Sequence, residues 1–181
     1  MLIPLRDLQD RDLPRAGSKA VRLGRLLARG LPVPDGFCVP SDAYEDHLRR
    51  SGALAAAKRL LRGRRPPGDE ERGRILEVIR RRIVEAMPSA ALSSAVEAGL
   101  RGLSSDALAV RSSASCEDGA DRSFAGMHDS ILGVRGTEDC LVALRRCWAS
   151  LWSDRAVAYR EQARVPHRDV SMAVIVQELV P

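Results

Sequence analysis

After a turn at Gly17-Ser18-Lys19 apolar side chains recur at Ala20, Leu23, Leu26 and Leu27, the spacing of one helical face, and Gly30 follows as a stop. Leu31-Pro32-Val33-Pro34 must then be extended, because each proline drives the residue before it out of the α region, and Gly36–Val39 reads as a strand. Ser41 is expected to cap the next helix. Residues 53–61 and 69–86 are again helical, the second with Ile75, Val78, Ile79, Arg82, Ile83 and Ala86 along one face. A Gly- and Pro-rich stretch, 62–68, separates them. Beyond Met87-Pro88-Ser89 a further helix carries Leu92, Val96 and Leu100 and ends near Gly102.

The pattern changes at residues 107–110, a short buried-type strand that runs into Arg111 and a long polar loop, 112–126. Ser130–Val134 reads as its hairpin partner. Thr137 is expected to cap a helix whose apolar stripe is Leu141, Leu144, Cys147, Trp148, Leu151 and Trp152, and residues 154–163 continue helically. Residues 172–180 form an apolar, β-branched run that stops one residue before the last, Pro181. A strand of this central type has neighbours to pair and faces to cover, so the chain is expected to be a fragment or half of a composite domain. The fold class expected is α+β, a mostly antiparallel sheet flanked by helices, without internal repeats.

Composition narrows the core and the setting. Only 3% of the 181 residues are Phe, Trp or Tyr, so Leu, Val, Ile and Ala must fill the interior. Cys38, Cys116, Cys140 and Cys147 match no zinc-ligand spacing and read as reduced, mostly buried thiols. Pro4, Arg6 and Asp7 interrupt the first residues, and no run of eighteen apolar residues occurs, so a cytoplasmic protein without membrane contact is expected. Residues 58–82 carry ten basic and four acidic side chains but no aromatic ring to stack on bases, which favours a solvated helical face over a nucleic-acid interface.

The strongest chemical signal is a strand that delivers Arg111 into a loop of Ser, Asp and Gly. Small residues let backbone N–H groups approach an anion, hydroxyls add donors, and an arginine fork neutralises phosphate, although an ordinary surface connection has the same composition. Lys19, at a turn that opens a helix, could add a point charge to a polyphosphate or simply lie in solvent. The P-loop spacing is absent. His47, His128 and His167 lie in no recognisable catalytic motif, Glu117 and Asp118 are adjacent carboxylates better suited to ordering the loop than to acid–base work, and Trp148 and Trp152, four apart, read as core packing. No residue is assigned to catalysis or to metal binding.

Three separated segments together resemble the phosphoenolpyruvate synthase and rifampicin phosphotransferase family. They are Gly17-Ser18-Lys19-Ala20 with Gly30-Leu31-Pro32-Val33-Pro34; Ala109-Val110-Arg111-Ser112-Ser113-Ala114 with Glu117-Asp118 and Ser123-Phe124-Ala125-Gly126; and Cys147-Trp148-Ala149-Ser150-Leu151 with Asp154-Arg155-Ala156. Met172 to Gln177 resembles the strand that closes that family's first lobe. Ser18, Met127, His128 and Gly133 depart from the pattern, standing for a glycine, a glutamine pair and an asparagine.

The resemblance implies the N-terminal lobe of an ATP-grasp domain over residues 1–181, with a helical section at about 41–102 and the second lobe not included. It implies that Lys19 and Arg111 contact the ATP phosphates. Ser123, Phe124, Ala125 and Gly126 would cover them, Ser130 would be a polar neighbour, and Gln177 with the backbone of Glu178, Leu179 and Val180 would line the adenine slot. Mg2+ is expected through the second lobe, and the partners are that lobe and a phosphohistidine domain. Transfer of the ATP β-phosphate through that histidine to pyruvate or an antibiotic hydroxyl is thus expected of a larger kinase-type enzyme rather than of these residues alone. The alternative is a nucleotide- or partner-binding module without turnover. A basic interaction protein acting through residues 58–82 ranks below both. The resemblance implies that the choice of phosphoryl acceptor lies in the other domains of such an enzyme.

Overall fold

A computed structural model describes residues 1–61, 68–114, 130–167 and 170–180. Its centre is a five-stranded sheet in which all neighbours are antiparallel, in the order β1 (Ile3–Pro4), β2 (Gly36–Val39), β5 (Met172–Glu178), β3 (Leu108–Ala114), β4 (Ser130–Val134). The fold is α+β. The last strand in sequence lies in the middle of the sheet, which explains its unbroken apolar run. Met172, Val174 and Val176 face one core, Ala173 and Ile175 the other, and all five are buried.

The larger core is built by α2 (Ser41–Arg50), α3 (Ala53–Leu61), α4 (Asp69–Glu85), α5 (Ala90–Arg101) and α6 (Gly136–Ser150) on one face of the sheet, with α7 (Asp154–Gln162) following at its rim. Trp148 and Trp152 belong to it, the first fully buried, the second donating its indole N–H to the Tyr44 hydroxyl at 2.9 Å. On the opposite face α1 (Leu13–Ala28) closes a smaller core of Leu5, Leu8, Ala16, Ala20, Val21, Cys38, Ala173 and Ile175. No β4 residue enters that cluster, and Leu132 of β4 is 63% exposed.

Local chemistry accounts for the element boundaries. Within α1 Gly17 is not helical, with φ 74° and ψ 165°, so the regular helix starts at Ser18, within the 17–19 turn expected from the sequence, and helical residues 13–16 that the sequence pattern did not indicate precede it. It ends in a left-handed Gly30, φ 73°, with Gly30 N–H donating to Leu27 O and Leu31 N–H to Leu26 O, the paired bonds of a Schellman stop. Three sequence expectations are corrected. β3 continues through Ser112, Ser113 and Ala114, so the loop starts later than expected, because β5 offers all three a pairing partner. Ser41 and Thr137 are not N-caps: their helices start at Ser41 and Gly136 behind Pro40 and Arg135, whereas Ser89 and Ser153 do cap α5 and α7 through their hydroxyls. β5 ends at Glu178, not Val180.

Candidate functional site

Strand alternation places Ala109, Arg111 and Ser113 on one face of β3, and Ser113 touches α1, so Arg111 belongs to the face that α1 partly covers. Ser130 lies opposite Arg111 across the β3–β4 pair and is exposed. Gln177 lies opposite Ala109 on β5, on the same face. On the half of this face beyond α1, Ser130 and Leu132 are exposed and Arg111 is half-buried among the described residues.

Lys19 reaches this place from α1. Its Nζ donates to the Ser112 carbonyl at 2.8 Å, one residue from Arg111 and 93 residues from Lys19 in sequence. The helix end that carries it is docked by two further contacts. The backbone N–H of Ala20 donates to Ser113 Oγ at 3.3 Å, and a Cβ on Gly17 would lie 2.5 Å from Ser113 Oγ and 2.7 Å from Ser113 O. Two cationic side chains from distant stretches thus share one sheet face.

At the β5 end the geometry is more committed than the sequence suggests. The Gln177 side chain is buried and donates through Nε2 to Pro34 O at 2.9 Å, tying β5 to the extended Leu31-Pro32-Val33-Pro34 segment. The backbone N–H groups of Glu178 and Leu179 donate to Asp35 O and Ala107 O, and the Glu178 carboxylate accepts from the N–H groups of Ser104 and Ser105 at 2.6 and 3.1 Å. The N–H groups of Glu178 and Leu179 are thus already paired within the protein, and Val180 is exposed. Ser123, Phe124, Ala125 and Gly126, like Cys116, Glu117, Asp118 and His128, lie outside the described residues.

Two histidines and two cysteines among the described residues are buried or half-buried within the packing. His47 is buried, with Nε2 2.8 Å from Ile83 O, and burial pushes its pKa down. His167 accepts at Nδ1 from Arg160 Nε at 3.0 Å; burial first and the Arg160 charge second push its pKa down. Cys38 and Cys140 are buried free thiols pushed up to about 12 by desolvation, which removes them as nucleophiles. Among the described residues no three His, Cys, Asp or Glu side chains gather in a way that could hold a metal ion, and no helix is long and apolar enough to cross a membrane. On α4 Arg72 pairs with Asp69 and Glu161, Arg74 with Glu70, and Arg80 with Glu77 and Asp154, so much of the basic excess meets acidic neighbours.

Reading residues 112–126 as loop hides Ser112 and Ser113, which turn out to be the docking surface for α1. The signal available was the glycine at position 17, one place before the helix start, since a glycine there permits a close backbone approach.

The chain is similar to known proteins along nearly its whole length. The family described as pyruvate phosphate dikinase, AMP/ATP-binding domain, matches residues 13–181. A phosphoenolpyruvate synthase of Aeropyrum pernix is 37% identical over 175 residues, covering 93% of this chain and 21% of that protein. A rifampicin phosphotransferase of Streptomyces sviceus is 39% identical over 182 residues, 99% of this chain and again 21% of that protein. A probable phosphoenolpyruvate synthase of Methanocaldococcus jannaschii is 35% identical, covering 97% of this chain and 15% of that protein. The chain spans about a fifth of the length of the first two.

Proposed function

Because the chain belongs to the pyruvate phosphate dikinase AMP/ATP-binding domain family, we propose that it grips the triphosphate of ATP between Lys19 and Arg111 as the amino-terminal ATP-grasp lobe of a longer phosphotransferase. The observation that carries the reading is the Lys19 ammonium, 2.8 Å from the carbonyl of Ser112 on the sheet face that also bears Arg111 and Ser130. An ammonium carries three N–H donors, so the Lys19 Nζ held at this carbonyl can also meet a phosphate oxygen, whose negative charge adds a Coulomb attraction that a neutral carbonyl lacks. The arginine fork then takes two oxygens of one phosphate. Ser123, Phe124, Ala125 and Gly126, which lie outside the described residues, are assigned to the phosphates by the family resemblance, and the end of β5, Gln177 to Val180, borders the adenine, where Gln177 acts by holding β5 in place.

In this reading the reaction needs positioning and charge neutralisation from this lobe, not a nucleophile. A histidine on another domain takes the β-phosphate, water takes the γ-phosphate, and AMP and phosphate leave; the phosphohistidine then serves pyruvate or an antibiotic hydroxyl. The relatives carrying the two names support both acceptors equally. Among the described residues no cluster of three His, Cys, Asp or Glu side chains offers a metal site, and the Mg2+ expected with ATP is assigned to the second lobe.

Arg111→Ala tests the reading. ATP affinity, measured calorimetrically on the intact protein, should fall roughly 10- to 100-fold, the worth of a charged hydrogen-bonding group, and ATP-dependent AMP formation should fall with it. Unchanged affinity overturns the assignment. ATP binding without AMP formation in the unaltered protein favours the binding-module alternative.

A further inference from the structure

We propose that Ser113 is a positioning residue for Lys19: its hydroxyl caps the helix that starts at Ser18 and seats the Lys19 ammonium beside Arg111. The inference rests on the ATP reading above and deepens it. A helix start leaves its first N–H groups without partners, and the residue before the helix normally supplies the acceptor from its own side chain. Here that residue is Gly17, which has no side chain to offer.

The acceptor comes instead from β3. Ser113 Oγ takes the N–H of Ala20, the third residue of the regular helix, at 3.3 Å. The glycine and the serine are two halves of one contact. With φ 74° Gly17 turns the chain in a conformation L side chains rarely adopt, and any Cβ there would collide with both Oγ and the carbonyl of Ser113. Only a bare backbone lets the helix end come close enough for the hydroxyl to cap it.

Ser113 is 0% exposed, so it cannot touch a nucleotide itself; its route to the phosphates runs through the helix end. That end is held at two adjacent residues of β3, by the Ser113 hydroxyl on Ala20 N–H and by the Ser112 carbonyl on Lys19 Nζ. The main-chain cap fixes where the Lys19 side chain starts, and the carbonyl marks where its ammonium waits. Removing the hydroxyl leaves a buried N–H without an acceptor, and the first helical turn moves to find water.

A double-mutant cycle read by ATP and adenosine affinities tests this, because adenosine lacks the phosphates Lys19 would hold. Ser113→Ala should weaken ATP roughly 3- to 30-fold, the range spanned by lost N-caps, and leave adenosine within about twofold. In a Lys19→Ala background the same change should cost ATP nothing further. Additive losses, or equal losses for ATP and adenosine, overturn the positioning role. If Lys19→Ala alone leaves ATP affinity unchanged, the ATP site itself is wrong; if it weakens ATP while Ser113→Ala does not, only the positioning role falls. Should Ser113→Ala fail to fold, Ser113→Cys keeps a weak acceptor of similar size: a smaller ATP-selective loss that vanishes without Lys19 supports the positioning role, and the lack of such a loss overturns it.

Discussion

At the scale of single residues, glycines decide how closely the layers approach. Gly36 in β2 lies against β5 so tightly that a Cβ would overlap the carbonyl oxygen of Val176, which is backbone and cannot swing aside. Gly36→Ala should therefore part β2 from β5 and cost about 1–3 kcal/mol, read as a lower urea midpoint at unchanged slope. Gly30, equally glycine but with nothing within 4 Å, marks the contrast: there the requirement is its left-handed φ of 73°, not space. Arg160 is 1% exposed and meets two neighbours through its guanidinium. Its Nε donates to His167, and its guanidinium lies 5.7 Å from the centroid of the Trp152 ring.

At the scale of elements, the helical layer is held to itself by side chains that satisfy helix ends. Arg145 of α6 donates from Nη1 to Val84 O and Ala86 O, the orphan carbonyls where α4 stops, and His47 of α2 meets Ile83 O on the same last turn. A cation at a helix C-terminus also opposes the macrodipole. Arg145→Ala should destabilise the protein by about 1–3 kcal/mol through unsatisfied carbonyls, whereas Arg101→Ala, which breaks an exposed pair with Glu97, should cost less than about 0.5 kcal/mol. Thermal melts of the two variants side by side check the difference. Helix positions were largely legible beforehand, because their apolar faces repeat at 3.6 residues. The caps at Ser41 and Thr137 were not: a Ser or Thr near a helix start can sit inside the first turn, and Pro40 and Arg135 already provide the extended backbone an N-cap requires.

For the whole molecule, acid should be the weak side. The His47 proton sits on Nε2, which faces the Ile83 carbonyl, and its buried Nδ1 has no hydrogen-bond partner, so a second proton would place a charge where nothing accepts it. His167 would lose its bond from Arg160 on protonation. Both folded pKa values lie below the ordinary value near ~6.5, so above that pH both rings are neutral in either state and their contribution is fully present. As pH falls through ~6.5 the unfolded chain takes up protons the folded one refuses, and stability declines until the folded pKa values are passed. Melting curves between pH 8 and pH 5 should show this fall, and His47→Gln should flatten it. ATP should act oppositely, adding about 2.7 kcal/mol of stability at a hundredfold excess over its Kd, visible as a raised Tm that Lys19→Ala removes. What the amino-acid order alone determined is the local part: helix faces and stops, the strands around Arg111 and Met172, the absence of zinc-type cysteine spacing, and motifs specific enough to point to the family. Only the tertiary structure decided that the last strand lies at the sheet centre, that Ser112 and Ser113 belong to β3, and that Lys19 meets them across 93 residues. Periodicity records which way a side chain faces within its own element, whereas the neighbour it meets depends on pairing free energies summed over the entire sheet, which no single stretch contains.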